Sequence, residues 1–481
     1  MQERNLLNAA AAESALEIFH KKIFSQAPCG ILLIFALTAF LHLLPASAAQ
    51  PEKTMFSGDD TEGIEKIVIT ASHPTEKWRL EADQRINKYR KADISVKVID
   101  KRTGKPVKNA EVIFKQKRHS FRFGGIISSP EFVRKGKAYK KLFLNMGFNA
   151  SGFNNALKYK LRKSFEKFKA ENIIKWFRAN NIFVRGHCLV WPGDKKGSHL
   201  PKELAELTDK YKQSPSGSLK RLIHDETLKM VRNGAEHWDV DEWDVINEPR
   251  ANHLIQDIVG NKTDTEKEWF KCAADNVKNK GILLYLNENR VISDPAGPDR
   301  VFTKKLKCYY DNLQALIDAE APVSGLGFQS RFAKMLPPET IIARLNAFNK
   351  FNIPIAATEM EMKKTIGSEY DKAVMTERVM TLYFSHPSVN GIYAWTIVNQ
   401  KNGKFNRGLV NPDYTPNLRG KVWLYLTKKL WATNINLKTD KKGNVKTRAF
   451  KGTYDINIKS GEKNAIREFE LTEDSTITVR I

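Results

Sequence analysis

Two alternating stretches stand out early in the chain. In ISVKVID (94–100) and in AEVIFKQK (110–117), apolar and polar residues take turns, the two-residue period of a strand with one buried face. Thr103, Gly104, Lys105 and Pro106 lie between them as turn residues, so the pair predicts an antiparallel hairpin, a small β module over 91–119. From 120 to 432 the pattern changes. Short apolar strands are predicted at Phe121–Ile127, Ala150–Asn154, Val184–Leu189, Glu242–Asn247, Leu283–Asn287, Gly325–Gln329, Ile355–Thr358 and Gly391–Trp395, with amphipathic helices such as Leu161–Asn180 and Leu219–Gly234 between them. Eight strand–helix alternations predict an α/β fold, a (β/α)₈ TIM barrel. Alternation returns in AFKGTYDINIKS and STITVRI, which predicts a C-terminal β appendage over 433–481 that packs with the N-terminal β module. Residues 50–90 are polar and read as a linker or extension, with one short strand at Lys66–Thr70.

The start of the chain has a different pattern. Lys21 and Lys22 precede an apolar run from Gly30 to Leu44, and small residues follow at Ala46, Ser47, Ala48 and Ala49. This order predicts a secretory signal peptide over 1–49 and a secreted or periplasmic protein. A membrane anchor is the competing reading, but the run is interrupted by His42 and is shorter than the ~20 residues a spanning helix needs. No stable membrane span is expected once the leader is removed.

The chain has 481 residues and a formal charge of +25, with 41% hydrophobic and 28% charged residues, which describes a globular protein. The lysines are scattered and form no arm or stripe, so the charge reads as a solvated surface, or as attraction to acidic polymers, and not as a nucleic-acid site. Cys29 leaves with the leader. Cys188, Cys272 and Cys308 make neither a disulfide framework nor a metal finger, although Cys272 and Cys308 could pair. No base pairs recognisably with Cys188, which reads as buried packing.

In such a barrel, chemistry sits at the C-terminal ends of the strands. Two glutamates are placed there: Glu248 at the exit of the fourth strand, in WDVINEP (243–249), and Glu359 at the exit of the seventh, in AATEMEM (356–362). Either alone reads as a surface charge. As a pair, they fit glycosidic cleavage, in which one carboxyl must protonate the leaving oxygen and the other must be ionised to attack or stabilise the sugar. This chemistry requires no metal or organic cofactor.

WDVINEP, ATEMEM and RGHCLVWP (185–192) together resemble glycoside hydrolase family 10, the xylanase family, whose motifs read WDVxNE, TELD and GHxLVW. The resemblance covers about 120–432. The preceding hairpin and its FRFG end are similar to a subgroup with an N-terminal β module that includes plant members. The resemblance implies an endo-β-1,4-xylanase with Glu248 as acid/base and Glu359 as nucleophile, acting on a polysaccharide. His187 and Asn247 match residues that hydrogen-bond the sugar beside the cleaved bond. Trp191 and Trp395 match aromatics that wall that subsite. Gln329 in GFQSR matches a polar residue near the nucleophile. Asn155 and Lys158 in NNALKY match the ENxxKW motif that holds the next sugar, and Asn287 in LYLNEN matches an asparagine of a YNDYN-like strand.

Four positions depart from the pattern. Arg331 stands where the family usually has a histidine that bonds the nucleophile. An arginine can still donate to Glu359 and favours its ionised form, yet its permanent charge could blunt nucleophilicity. Asn154 replaces the glutamate of ENxxKW, and Tyr159 replaces its tryptophan. The second tryptophan expected after Trp395 is absent from WTIVNQKNGKFNRGL, which predicts a more open or more polar cleft. Two further readings stay open: a hydrolase of another decorated or acidic β-glycan, and a carbohydrate-binding barrel that does not cut.

Overall fold

The computed structural model describes residues 64, 65, 67, 76–161, 165–297, 300–400 and 406–481. The expected leader at 1–49 lies outside them. Eight parallel strands follow the predicted ones to within a few residues: β1 (Arg122–Ile127), β2 (Ala150–Phe153), β3 (Phe183–Val190), β4 (Glu242–Asn247), β5 (Leu283–Asn289), β6 (Gly325–Gln329), β7 (Ile355–Met362) and β8 (Val389–Ala394). Each pairs with the next. β8 pairs back onto β1 through Gly391–Arg122 and Ala394–Gly125, so the sheet closes into a barrel with helices between its strands.

The barrel interior combines packing with charge. Ile126, Ala150, Tyr285, Ala356 and Tyr393 form a buried cluster. Beside them Glu242 accepts hydrogen bonds from Arg122 (2.8 Å), Arg185 (2.6 Å) and the Tyr393 hydroxyl (2.9 Å). Arg185 lies over the Tyr285 ring at 4.3 Å and also pairs with Asp244. A buried charge is tolerable only when paired and hydrogen-bonded, and this chain of pairs meets that condition. Gly186 makes room for it: a Cβ there would run into the Trp243 indole.

Below the barrel, strands from both ends of the chain make two sheets. Lys91–Ile99 pairs antiparallel with Asn444–Phe450 and parallel with Ser475–Arg480. Glu111–His119 lies between Asn434–Lys438 and Gly452–Ser460, and Lys463–Leu471 completes the second sheet. The inward residues Ile94, Val96, Val98, Val112, Phe114, Tyr454, Ile456 and Ile458 share one core. The predicted hairpin is therefore wrong. Its two strands sit in different sheets, each paired with strands of the C-terminal segment, and the isolated bridge Ile99–Pro106 lies in the turn between them.

Of the strand expected at Lys66–Thr70 only Ile67 lies among the described residues, and it is helical. Lys77–Tyr89 is a helix that packs on the helix Glu369–Ser385, where Arg79 makes a bidentate pair with Glu377 (2.6 and 2.7 Å). Cys188, Cys272 and Cys308 are unbonded, so Cys272 and Cys308 do not pair. Among the described residues no helix is long and apolar enough to cross a membrane.

Candidate active site

At the end of β4 the chain turns sharply, with Glu248 in the left-handed region (φ 56°). A non-glycine residue there costs energy and is kept where the surroundings over-determine it. Here the Glu248 N–H donates to the Asn287 carbonyl (2.8 Å), and Asn252 donates to the Glu248 carbonyl (3.1 Å). Its carboxylate accepts from Gln329 Nε2 (2.7 Å) and Asn252 Nδ2 (3.3 Å). Gln329, expected beside Glu359, thus serves Glu248 and Asn247 instead.

Asn247 is buried. Its Oδ1 accepts from Asn287 Nδ2 (2.9 Å) and Gln329 Nε2 (3.3 Å), which turns its own amide N–H groups away from both. Asn287 is fully enclosed, accepts from Thr358 Oγ1 (2.8 Å), and orients Asn247 from behind. Gly327 permits this, since a Cβ would fall 2.5 Å from Asn287 Oδ1. His187, on β3, pairs through Nδ1 with Asp244 Oδ2 (2.8 Å) and meets the Trp395 ring edge-on at 5.9 Å. With Asp244 on Nδ1, Nε2 is directed elsewhere.

Glu359 lies within β7 and is 3% exposed. Arg331 donates to its Oε2 from Nε (2.7 Å) and from Nη2, and sits over the Trp395 ring at 5.0 Å. Burial alone would lower the Arg331 guanidinium. The carboxylates of Glu359 and Glu361 outweigh it and raise it, with Glu248 adding to the effect. The buried Lys158 ammonium is lowered, chiefly by burial, and it too feels both Glu359 and Glu248. Gln329 and Arg331, two positions apart at the exit of β6, thus bond Glu248 and Glu359 respectively and bring both carboxylates to that exit. Burial pushes the Cys188 thiol up to about 12, which fits a packing role.

Asn155 is exposed and accepts from Lys158 Nζ (3.1 Å). Trp191 has His199 stacked on it (3.7 Å between centroids, 2° between planes) and Lys158 Nζ 4.7 Å from its centroid. Sequence reasoning missed Asp244, Asn252, Glu288, Glu361 and Arg407. Asp244 was visible within WDVINEP as a charge at an otherwise apolar strand position. Glu288, buried at the end of β5, accepts from the Arg250 N–H (3.0 Å), and burial raises its carboxyl to about 7.

The family model described as Glycosyl hydrolase family 10 matches residues 113–407, more than half of the chain. The chain belongs to this family. Among similar proteins, an anti-sigma-I factor of Acetivibrio thermocellus is 26% identical over 393 residues, covering 79% of this chain and 46% of that protein. Endo-1,4-beta-xylanase 1 of Arabidopsis thaliana is 25% identical over 402 residues, covering 82% of this chain and 39% of that protein. The chain thus spans less than half the length of either relative. Of solved family 10 structures, native xylanase 10B from Thermotoga maritima matches with a TM-score of 0.52 at 19% identity, covering 65% of this chain and 96% of its own. A family 10 structure from Paenibacillus barcinonensis matches with a TM-score of 0.53 at 15% identity, covering 64% and 95%. These two likenesses agree with the closed barrel.

Proposed function

We propose that this family 10 barrel is a secreted, retaining endo-hydrolase of β-1,4-linked xylan. The observation that carries the reading is the pair of glutamates, Glu248 at the exit of β4 and Glu359 within β7, held by Gln329 and Arg331 from the end of β6. Glu248 protonates the leaving oxygen while Glu359 attacks the anomeric carbon to form a glycosyl-enzyme. Glu248 then takes a proton from water, which releases the sugar with its configuration retained. The Asn247 amide and His187 Nε2 hydrogen-bond the sugar at the cut, and Trp395 offers an apolar face to its ring. Lys158 and Asn155 hold the next sugar. Retention requires carboxyl groups about 5–5.5 Å apart. Export rests on the leader-like segment at 1–49, and the xylanase names among the relatives favour xylan as the polymer.

A binding barrel that does not cut is the second reading, favoured by the direct Arg331–Glu359 ion pair. Reducing-sugar release from xylan, glucuronoxylan and β-glucan, with Glu359→Ala alongside, separates the two. Release from xylan that the variant abolishes is the expected result. Binding without release from any of the three would sink the hydrolase reading.

A further inference from the structure

Four basic side chains gather at the exits of consecutive strands on the barrel face that holds Glu359. Arg290 follows β5, Arg331 follows β6, Lys363 follows β7, and Arg407 lies in the segment after β8. Two carboxylates stand among them. Glu359 pairs with Arg331, while the buried Glu361 has Arg407 Nη1 at 3.1 Å and Arg331 Nη1 at 3.6 Å. The two guanidinium groups are therefore already matched to two carboxylates. Lys363 and Arg290 have no such match: among the described residues neither has a carboxylate oxygen within 4.0 Å. Lys363 is half-buried and its ammonium is lowered, first by burial; Glu361 opposes this, while Arg290, Arg331 and Arg407 add to it. Strand pairing brings these exits together: Asn289, before Arg290, lies opposite Gln329, and Glu361 and Met362, before Lys363, lie opposite Arg331 and Phe332.

A half-buried cation beside three others is costly unless an anion joins it. In a cleft with low-dielectric walls the surplus positive charge also draws anions in. We propose that Arg290, Arg331, Lys363 and Arg407 form a subsite beside Glu359 for the carboxylate of a uronic acid carried by the glycan. The Arg290 guanidinium can take that carboxylate bidentately and the Lys363 ammonium adds a point charge, while Arg331 and Arg407, held by Glu359 and Glu361, add positive charge beside them. The inference rests on the glycan reading of the site and adds to it a preference for acidic over neutral polymer.

The test uses the full chain in affinity electrophoresis through gels containing glucuronoxylan, the same glucuronoxylan with its carboxyl groups reduced to alcohols, or a β-linked polyuronate. The variants are Lys363→Gln combined with Arg290→Gln, and as a charge-matched control Lys441→Gln with Lys442→Gln on the distant C-terminal sheets. Each partly exposed charge pair contributes ~0.2–1 kcal/mol, so the apparent Kd should weaken about fivefold when the carboxyls are reduced, and by a similar factor in the Lys363/Arg290 variant. The control should bind as the unaltered chain does. Retardation by glucuronoxylan places the carboxylate on a branch; retardation by polyuronate alone places it in the backbone. Equal retardation by acidic and reduced polymer, or an equal loss in the control, overturns the subsite. Reducing-sugar assays on the same polymers keep the two claims separate. Equal cleavage of acidic and reduced polymer with equal binding rejects the subsite and keeps the hydrolase. Carboxylate-dependent binding with no cleavage rejects the hydrolase and keeps the subsite.

Discussion

Arg331 is the residue on which the chemistry turns. It donates twice to Glu359, where the resembled motif has a histidine. A guanidinium fixed on a carboxylate stabilises its resting charge, and that stabilisation must be given up as the oxygen bonds to carbon. Arg331→His should therefore raise kcat on neutral xylan, by up to ~10-fold if about 1.4 kcal/mol of ground-state stabilisation is released. Steady-state kinetics on unsubstituted xylan measure this, and a fall in kcat would show that the arginine assists the nucleophile. The departure at Arg331 was legible in GFQSR, and so were both glutamates, because catalytic groups of a barrel sit where an apolar strand stops. Asp244 and Arg185 were harder to see. A charged residue inside an apolar strand reads locally as an interruption, and only the closed barrel shows that Arg185 pairs with both Asp244 and Glu242, with Arg122 as the second cation on Glu242.

Among the elements, β5 bears most directly on Glu248. Asn287 on this strand orients Asn247, and Glu288 fastens the turn after Glu248 through the Arg250 N–H. Burial first, and Glu248 in addition, raise the Glu288 carboxyl to about 7, against the backbone N–H groups and Arg250 that lower it. A carboxyl raised in the folded state favours the protonated form there. Its stabilising effect is full below the unfolded value and is lost as pH climbs through about 7. Glu288→Gln should flatten that part of the profile, so that the urea midpoint drops less between pH ~5 and pH ~8 than in the unaltered chain. An unchanged slope would assign it to other groups. The barrel strands were legible from apolar runs bounded by polar helices. The helix Lys77–Tyr89 was not, because its composition is polar, although Trp78, Ala82 and Ile86 recur at the four-residue spacing of a helix face and are all buried.

At the scale of the whole molecule, the two ends of the chain complete each other. Alternation showed that strands exist at 94–100, 110–117 and beyond 433, yet local pattern carries no record of partners more than three hundred positions away, so a hairpin was expected where two sheets form. Removing 434–481 strips Lys91–Ile99 and Glu111–His119 of every ladder partner and opens their shared core. The shortened chain should melt at least ~10 °C lower or collect in the insoluble fraction; an unchanged Tm would mean that the barrel does not depend on these sheets. The two sheets are thus built from the segments that precede and follow the barrel in sequence. The most direct measurement is covalent trapping: incubate the full chain with a fluorinated xylobioside bearing an activated leaving group, then locate the adduct by peptide mass spectrometry. One glycosyl group is expected on the peptide containing Glu359 and none in Glu359→Ala. An adduct on another residue, or no adduct while xylan is still cleaved, would contradict it.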